Sequence, residues 1–493
     1  MAIRIKSLLN DSLLYGLSGV FSKFMMFFLT PLYTRVYLPS DYGVLGMLNN
    51  GYALVTILLV FALDNSTARW FYDTDDNLDR KKTINTWIWF YLTVSIAAAV
   101  VVFALADSLS SLFLNSSKEG AIYIRLLSVT LPLMMWMSVA NNVLRFERKA
   151  MQVVLLTLFY ALVLIMLNII FVLYLKKGLI GAYYAQLIAA ILVMLISVYL
   201  IRNWIGSFKF FQLHRLLLMV KYSLPFVPAS MAFWLVNLSG VFFVNAFMSE
   251  SEAGLFQIGA SIAAVAGLIT NSFQQAWAPF AFSVLKQENA KQLYAKIFEI
   301  YILLVGLFCT VVALFSPEIL IVLTTSKYYG ASWVASILAF SYLLMGLTNI
   351  ADLGTAISKK TAPLGFISVI SAICLLLFNY VLIPNFGKEG AALSICFSQL
   401  IVPIYMFYKS QSLYYIPFNF KKGISIILFL IIISALGLMV KGQWWELVLY
   451  KLLFLVIVFY FFYYQSKEDI FKMLNIVKEK LPLGKILKKD NDI

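Results

Sequence analysis

The sequence predicts an all-α polytopic membrane protein of about 14 transmembrane helices. They form two six-helix lobes related by an internal parallel repeat, plus a C-terminal helix pair. Three observations predict this class. Of 493 residues, 62% are hydrophobic and 12% charged, far outside the soluble globular range. Fourteen apolar segments of span length lie near 12–34, 42–66, 86–106, 120–142, 151–175, 179–201, 221–246, 253–274, 296–316, 332–352, 362–383, 389–408, 423–440 and 443–464. Matching residues in the two halves recur at a nearly constant offset.

The first span follows Arg4 and Lys6 and has full length without a small-residue cleavage site, so it reads as retained and not as a signal peptide. Ser12, Gly16, Gly19, Lys23, Met26, Thr30 and Tyr33 recur every three to four residues along it, forming a small-and-polar stripe with Lys23 near mid-span. A lysine at that depth costs roughly 2.5–3.5 kcal/mol unless it faces protein or water. Small residues at this spacing let a second helix approach closely. Lys23 therefore lines a hydrated cavity, or else bends to the interface or pairs with an acid.

An even span count puts both termini on one side, and the basic residues choose the side. With the N-terminus cytoplasmic, 28 Lys and Arg fall on inner segments and seven on outer loops, while Lys23, Arg125 and Lys451 lie within spans. That bias predicts cytoplasmic termini. The net charge of +15 thus reads as an orientation signal and an attraction to anionic membrane lipid, with no nucleic acid partner.

The repeat pairs Asp41-Tyr42-Gly43 with Glu252-Ala253-Gly254, Arg148-Lys149 with Lys359-Lys360, and Asn168 with Asn379, all at an offset of 211. Gly178 through Ala182 matches Gly387 through Ala391 at 209. The resulting units are an N-terminal lobe at 1–210, a C-terminal lobe at 211–420, a terminal helix pair at 421–464 and a basic cytoplasmic tail at 465–493. Six spans per unit preserve orientation, which makes the repeats parallel and places a binding site at their interface. The loops are short. The longest inner segments are Phe71–Asn85, Arg202–Val220 and Phe280–Ala295, the last with an amphipathic composition suited to the membrane surface. The tail carries seven lysines and reads as a solvated or lipid-surface helix.

No catalytic constellation emerges, so the chain is not expected to be an enzyme. It has neither a glycine-rich phosphate loop nor a nucleophile motif. Cys309, Cys374 and Cys396 sit in apolar runs without pair spacing, and the single histidine, His214, lies in a basic loop, so no cofactor or metal is expected. What remains is a set of polar groups at membrane depth. Lys23, Arg125 and Arg69 are the substrate-binding candidates; Arg125 alternatively reaches the headgroups, and Arg69 alternatively anchors the inner end of the second span. Asp64, Glu299 and Asp352 are the ion-coupling candidates, against the plainer role of solvated carboxylates near span ends. Asn49, Asn50, Asn141, Asn142, Asn237 and Asn245 have the chemistry to bind sugar hydroxyls or to bridge helices.

Thr30-Pro31-Leu32-Tyr33-Thr34-Arg35 followed by Leu38-Pro39-Ser40-Asp41-Tyr42-Gly43 closely resembles the opening hairpin of bacterial polysaccharide flippases of the Wzx type, the O-antigen and capsule repeat-unit flippases. Arg69-Trp70-Phe71-Tyr72 is similar to the family's arginine-aromatic ending, and Gln275-Ala276-Trp277-Ala278-Pro279-Phe280 to its second-half counterpart. The resemblance spans the whole chain and extends to the wider superfamily of the lipid II flippase and the multidrug and toxin extruders. It implies alternating access in the bacterial cytoplasmic (inner) membrane, moving an undecaprenyl-pyrophosphate-linked oligosaccharide from the inner to the outer leaflet. A polysaccharide polymerase and chain-length machinery are the implied partners. An ion-coupled multidrug exporter is the alternative, although the seventh span offers no charge between Tyr222 and Met248 for cationic cargo. A membrane-embedded glycosyltransferase or polymerase is the third class, and it lacks the large outer loop such a site requires.

Overall fold

The computed structural model describes residues 29–114, 118–358, 360, 362–440 and 444–480, and among these there is no β-strand. The first lobe contains α1 (29–36), α2 (Pro39–Val60), α3 (Leu63–Tyr72), α4 (Asn77–Ala104), α5 (Ala106–Phe113) and α6 (Lys118–Phe146). It continues through α7 (Ala150–Asn168), which runs on as a π-helical turn over Ile169–Tyr174, to α8 (Leu179–Ile201). The second part begins with α9 (Leu213–Ser223), α10 (Val227–Leu238), α11 (Gly240–Phe247) and α12 (Glu250–Val284). Next come α13 (Ala290–Leu314), α14 (Ser316–Leu323), α15 (Ser332–Ala351) and α16 (Leu353–Ile357). Last are α17 (Ala362–Leu413), α18 (Phe420–Met439) and α19 (Trp444–Lys480).

Among the described residues, eleven helices are long and apolar enough to cross a membrane, or twelve if α10 and α11, bent by 48° at Ser239, count as one. This is fewer than the fourteen expected from sequence. Most of the first segment, with Lys23, lies outside the described residues. The 52 residues of α17 would reach ~78 Å as one rod, more than twice a hydrocarbon core. Instead the chain doubles back at Gly387, where φ is 60° and ψ −140°. Ser371 Oγ donates to Ser398 O at 2.6 Å across the two arms.

That turn has a counterpart 209 residues earlier: Gly178 has φ 62° and ψ −147°. Only glycine adopts this region readily. A Cβ on Gly178 would meet nothing within 4 Å, so backbone conformation and not space demands glycine there.

Helix starts follow local chemistry. Pro39 opens α2 while the Asp41 carboxylate accepts the Leu38 N–H at 2.9 Å. Ser249 caps α12 by accepting from Glu252 N at 3.2 Å, with Glu250 and Glu252 set against the positive end of the helix dipole. Span two breaks after Val60, where Phe61 and Ala62 both have left-handed φ, 47° and 51°. The Tyr91 hydroxyl donates to the freed Val60 carbonyl at 2.7 Å.

The lobes meet where α2 crosses α12. A Cβ on Gly43 would lie 2.1 Å from Glu250 O, and one on Gly254 would lie 1.7 Å from Pro39 O. Both pairs are related by the repeat offset of 211, so the contact is twofold in character: each helix offers the other its equivalent turn. The same end, expected to be the outer one, is stitched by Thr34 Oγ1 to Leu323 O at 3.1 Å and Tyr328 OH to Tyr37 O at 2.9 Å.

Two expectations shift. The eighth span is longer than 253–274, because α12 continues to Val284. Trp277 is buried there and donates to Asn349 O at 2.9 Å, so it faces protein and not the membrane surface. The beginning of the tail prolongs α19 as helix to Lys480.

Candidate functional site

One turn beyond the Gly43–Gly254 contact, α2 and α12 enclose a cavity of about 650 Å³. The first part of the chain supplies Tyr33, Tyr42 and Asn49 from α1 and α2, Tyr160 from α7, and Tyr183 and Gln186 from α8. The second part supplies Gln257, Ser261 and Asn271 from α12 and Tyr342 from α15. No lining side chain among the described residues is charged. The wall is pinned at the repeat interface. Asn50 Nδ2 donates to Leu238 O at 3.0 Å, and Trp234 Nε1 donates to Asn50 O at 2.8 Å, tying α2 to α10. Tyr33 OH donates to the buried Asn168 Oδ1 at 2.7 Å. The repeat-equivalent Asn379 is also buried but has neither amide atom partnered, and the residue at the same offset from Tyr33 is Val244, which has no hydroxyl to offer.

A second recess, about 1040 Å³, is almost wholly apolar and lies between α13, α15, α17 and α18, with Leu344, Leu400, Ile424, Leu428 and Ile431 on its walls. Helix α18, the first of the terminal pair, is one side of it.

The charged candidates are placed elsewhere. Lys23 lies outside the described residues. Arg125 pairs with Asp107 at 2.6 Å and sits over the Phe103 ring, with its side chain 37% exposed. Arg69 is exposed and stacks on Tyr222 of α9 at 4.9 Å, clasping the end of span two to the interlobe helix. Asp64 accepts from Tyr91 OH at 3.1 Å beside the break in span two. Glu299 accepts from Lys422 at 2.8 Å, which ties α13 to α18. Asp352 accepts from the Thr355 hydroxyl one turn on. None of these five lines the central cavity. No group of three or more His, Cys, Asp or Glu among the described residues is arranged to hold a metal.

Of the asparagines named from sequence, Asn49 lines the cavity, while Asn50 and Asn237 bridge helices, the latter accepting from Gln399 Nε2 at 2.7 Å. Gln186, Gln257, Asn271, Tyr160, Tyr183 and Tyr342 were missed. A signal existed for part of the set: Gln257, Ser261, Ala264, Leu268 and Asn271 recur every three to four residues, one face of one helix.

A bundle of apolar helices folded as two related lobes, with a hydrogen-bonding cavity at their interface, has the architecture of a secondary transporter. Solved structures of that architecture are similar to the chain. The lipid II flippase MurJ in an inward closed conformation matches with a TM-score of 0.72 at 14% identity, covering 92% of this chain and 99% of that one. An inward-facing multidrug resistance MATE family transporter of the MOP superfamily matches with a TM-score of 0.66 at 16% identity, covering 79% and 94%. By sequence, residues 32–333, more than half of the chain, match the polysaccharide biosynthesis protein family, and the chain belongs to that family. The capsular polysaccharide biosynthesis protein CapF of Staphylococcus aureus is 32% identical over 162 residues, 32% of this chain and 41% of the relative's length.

Proposed function

We propose that this protein flips an undecaprenyl-pyrophosphate-linked oligosaccharide repeat unit from the inner to the outer leaflet of the bacterial cytoplasmic membrane by alternating access. One observation carries the reading. A polar cavity at the lobe interface and a long apolar recess walled by α18 occur in one molecule, and a cargo with a sugar head and a polyprenyl tail needs both. The moving bodies are the lobes 1–210 and 211–420, the pair 421–464 serves the tail of the cargo, and 465–493 is the basic tail. The basic bias of the inner segments supports cytoplasmic termini and contact with anionic lipid. The flipped unit then passes to a polysaccharide polymerase and its chain-length machinery.

Lys23 is the proposed ligand of the pyrophosphate, through charge-assisted hydrogen bonds. Arg69 and Arg125 are secondary cationic contacts at the two ends of the path. Among the ion-coupling candidates Asp64 leads. It sits beside a broken helix within reach of the Tyr91 phenol, the Asn142 amide and the Arg145 charge, whereas Glu299 is held directly by a lysine and Asp352 closes a local turn.

The test is restoration of surface polysaccharide in a strain lacking its own flippase, at matched membrane expression. Lys23→Arg is expected to retain part of the export, Lys23→Ala to lose most of it, and Lys23→Glu to be inactive although inserted. Full export from Lys23→Ala removes the lysine from the mechanism. A wild-type chain that restores no polymer overturns the reading as a whole.

A further inference from the structure

We infer that Asp64 takes a proton as its coupling ion, and that Tyr91 links that proton to the break in span two. The inference rests on the flippase reading, in which Asp64 leads the coupling candidates, and names the ion and the residue that joins it to the backbone.

The count of hydrogens carries the argument. The Tyr91 hydroxyl lies 2.7 Å from Val60 O and 3.1 Å from Asp64 Oδ1. A phenol has one hydrogen to donate, while a carbonyl and an ionised carboxylate only accept. With Asp64 ionised, the two acceptors compete for that single hydrogen. With Asp64 protonated, its carboxyl donates to the Tyr91 oxygen while Tyr91 donates to Val60 O, and neither acceptor is left short. The shorter contact is the one to Val60 O, as that arrangement requires. The broken span therefore belongs to protonated Asp64. Tyr91 is 1% exposed and its ring packs edge-on against Trp87 at 5.2 Å, so the hydroxyl is held where both acceptors reach it.

The backbone has a second arrangement open to it. In an unbroken helix Val60 O would accept the N–H of Asp64, four residues on. Here Phe61 and Ala62 take left-handed φ, 47° and 51°, which L side chains enter only at a cost, and the Tyr91 hydroxyl fills the place of the missing helix bond. Loss of the proton to water leaves a carboxylate that draws the Tyr91 hydrogen to itself by a charge-assisted bond. Val60 O is then without a donor, and joining α2 to α3 as one helix restores one. The far end of α3 carries the change onward. Arg69 stacks on Tyr222 at 4.9 Å and Trp70 meets the same ring at 5.8 Å, on α9 between the lobes. The proton thus has different affinities for the bent and the straight span, which is the condition for coupling.

The surroundings of Asp64 favour a proton over a metal cation. Among the described residues, Tyr91 of α4 and the Asn142 amide and Arg145 charge of α6 act on its carboxyl. Helix α9 turns Tyr222 to Arg69 and Arg215 to Asp79 of α4. Arg145 supports the ionised state once the proton has gone. A sodium ion would lie in the field of the same Arg145, and would have to pull Val60 O or Tyr91 out of their mutual bond.

The experiment follows the bend itself, without cargo, in the full chain in lipid nanodiscs with Cys309, Cys374 and Cys396 replaced by alanine. Spin labels at the exposed Asp73, just past α3, and the exposed Met151, at the start of α7, report where the end of α3 stands. In a titration from about pH 5 to about pH 9, two label distances are expected to exchange, their population ratio changing about tenfold or more. Asp64→Asn keeps a donor for the Tyr91 oxygen and should hold the acid distance at every pH. Tyr91→Phe removes the hydroxyl and should abolish the pH dependence, whereas loss of a merely structural tyrosine would leave the midpoint in place. Ala62→Gly favours the left-handed backbone without touching the relay, so it should move the midpoint to higher pH. Exchanging choline chloride for sodium chloride should change nothing. A wild-type distance indifferent to pH, an unshifted midpoint in Tyr91→Phe, or a bend controlled by sodium overturns the inference, and the flippase reading then stands or falls on polymer export alone. A wild-type chain that restores no polymer while its bend still follows pH sinks the flippase reading and leaves the proton relay.

Discussion

Lys451 is 2% exposed within α19, and both Glu318 oxygens lie close to its Nζ, at 2.6 and 2.7 Å. The sequence marks the lysine only as a charge inside a span. The fold supplies its partner from α14, 133 residues away, and lays the Phe315 ring beside it at 6.0 Å. Breaking a buried pair from one side strands the other charge. Lys451→Met is expected to destabilise the protein by about 3 kcal/mol, read as a lowered melting temperature in detergent. Adding Glu318→Leu should recover most of the loss, because the stranded carboxylate is then gone. A single variant as stable as wild type would show that water already solvates Glu318. The Arg125–Asp107 pair, with side chains 37% and 71% exposed, is a contrasting case worth at most about 1 kcal/mol.

At the scale of elements, the terminal pair is held by contacts distinct from those that join the lobes. Lys422 of α18 donates to Glu299 of α13 at one end, and Lys451 of α19 reaches Glu318 at the other. Gly423 and Gly437 of α18 lie against Phe298 and Leu314 of α13. Removing everything after Asn419 takes away one wall of the apolar recess and keeps Ser410, which accepts from Gly354 N at 2.7 Å and closes the arm of α17 onto α16. The truncated protein is expected to reach the membrane and to lose most of its export, measured as surface polymer against protein level. Export equal to full length would exclude the pair from handling the tail of the cargo.

At the scale of the whole molecule, α2 and α12 cross at closest approach beside one end of the cavity. Any side chain at Gly43 or Gly254 must push backbone apart, since the obstructing atoms are carbonyl oxygens of Glu250 and Pro39. Gly254→Val is therefore expected to open this end. Overpacking of this kind costs about 1–3 kcal/mol, enough to shift a two-state balance by roughly five- to 150-fold. The measure is cross-linking between cysteines placed at Thr34 and Thr325, whose backbone and hydroxyl meet at 3.3 Å. Cross-linking should be fast with Gly254 and much slower with valine. An unchanged rate would mean that the crossing is not what closes the cavity.

Hydropathy, a local quantity, was enough to reveal the all-helical membrane class, and residues matched at a nearly constant offset pointed to the duplication. Each span must satisfy its own backbone within lipid, and each parallel repeat restates the same pattern at a fixed offset. Charge at depth was also legible, but its meaning was not. Arg69 and Arg125 read equally as substrate-binding candidates or interfacial anchors, and Glu299 as an ion-coupling candidate or a solvated carboxylate, until the fold shows what each touches: Tyr222, Asp107 and Lys422. Conversely, the described part of the lining is assembled from α1, α2, α7, α8, α12 and α15, up to about 300 residues apart. A tyrosine or glutamine on one helix reads the same whether it faces lipid, a neighbour or a cavity. Only the packing of helices distant in sequence decides which, because helix rotation and crossing are set by contacts such as Gly43 on Gly254 that no single span contains.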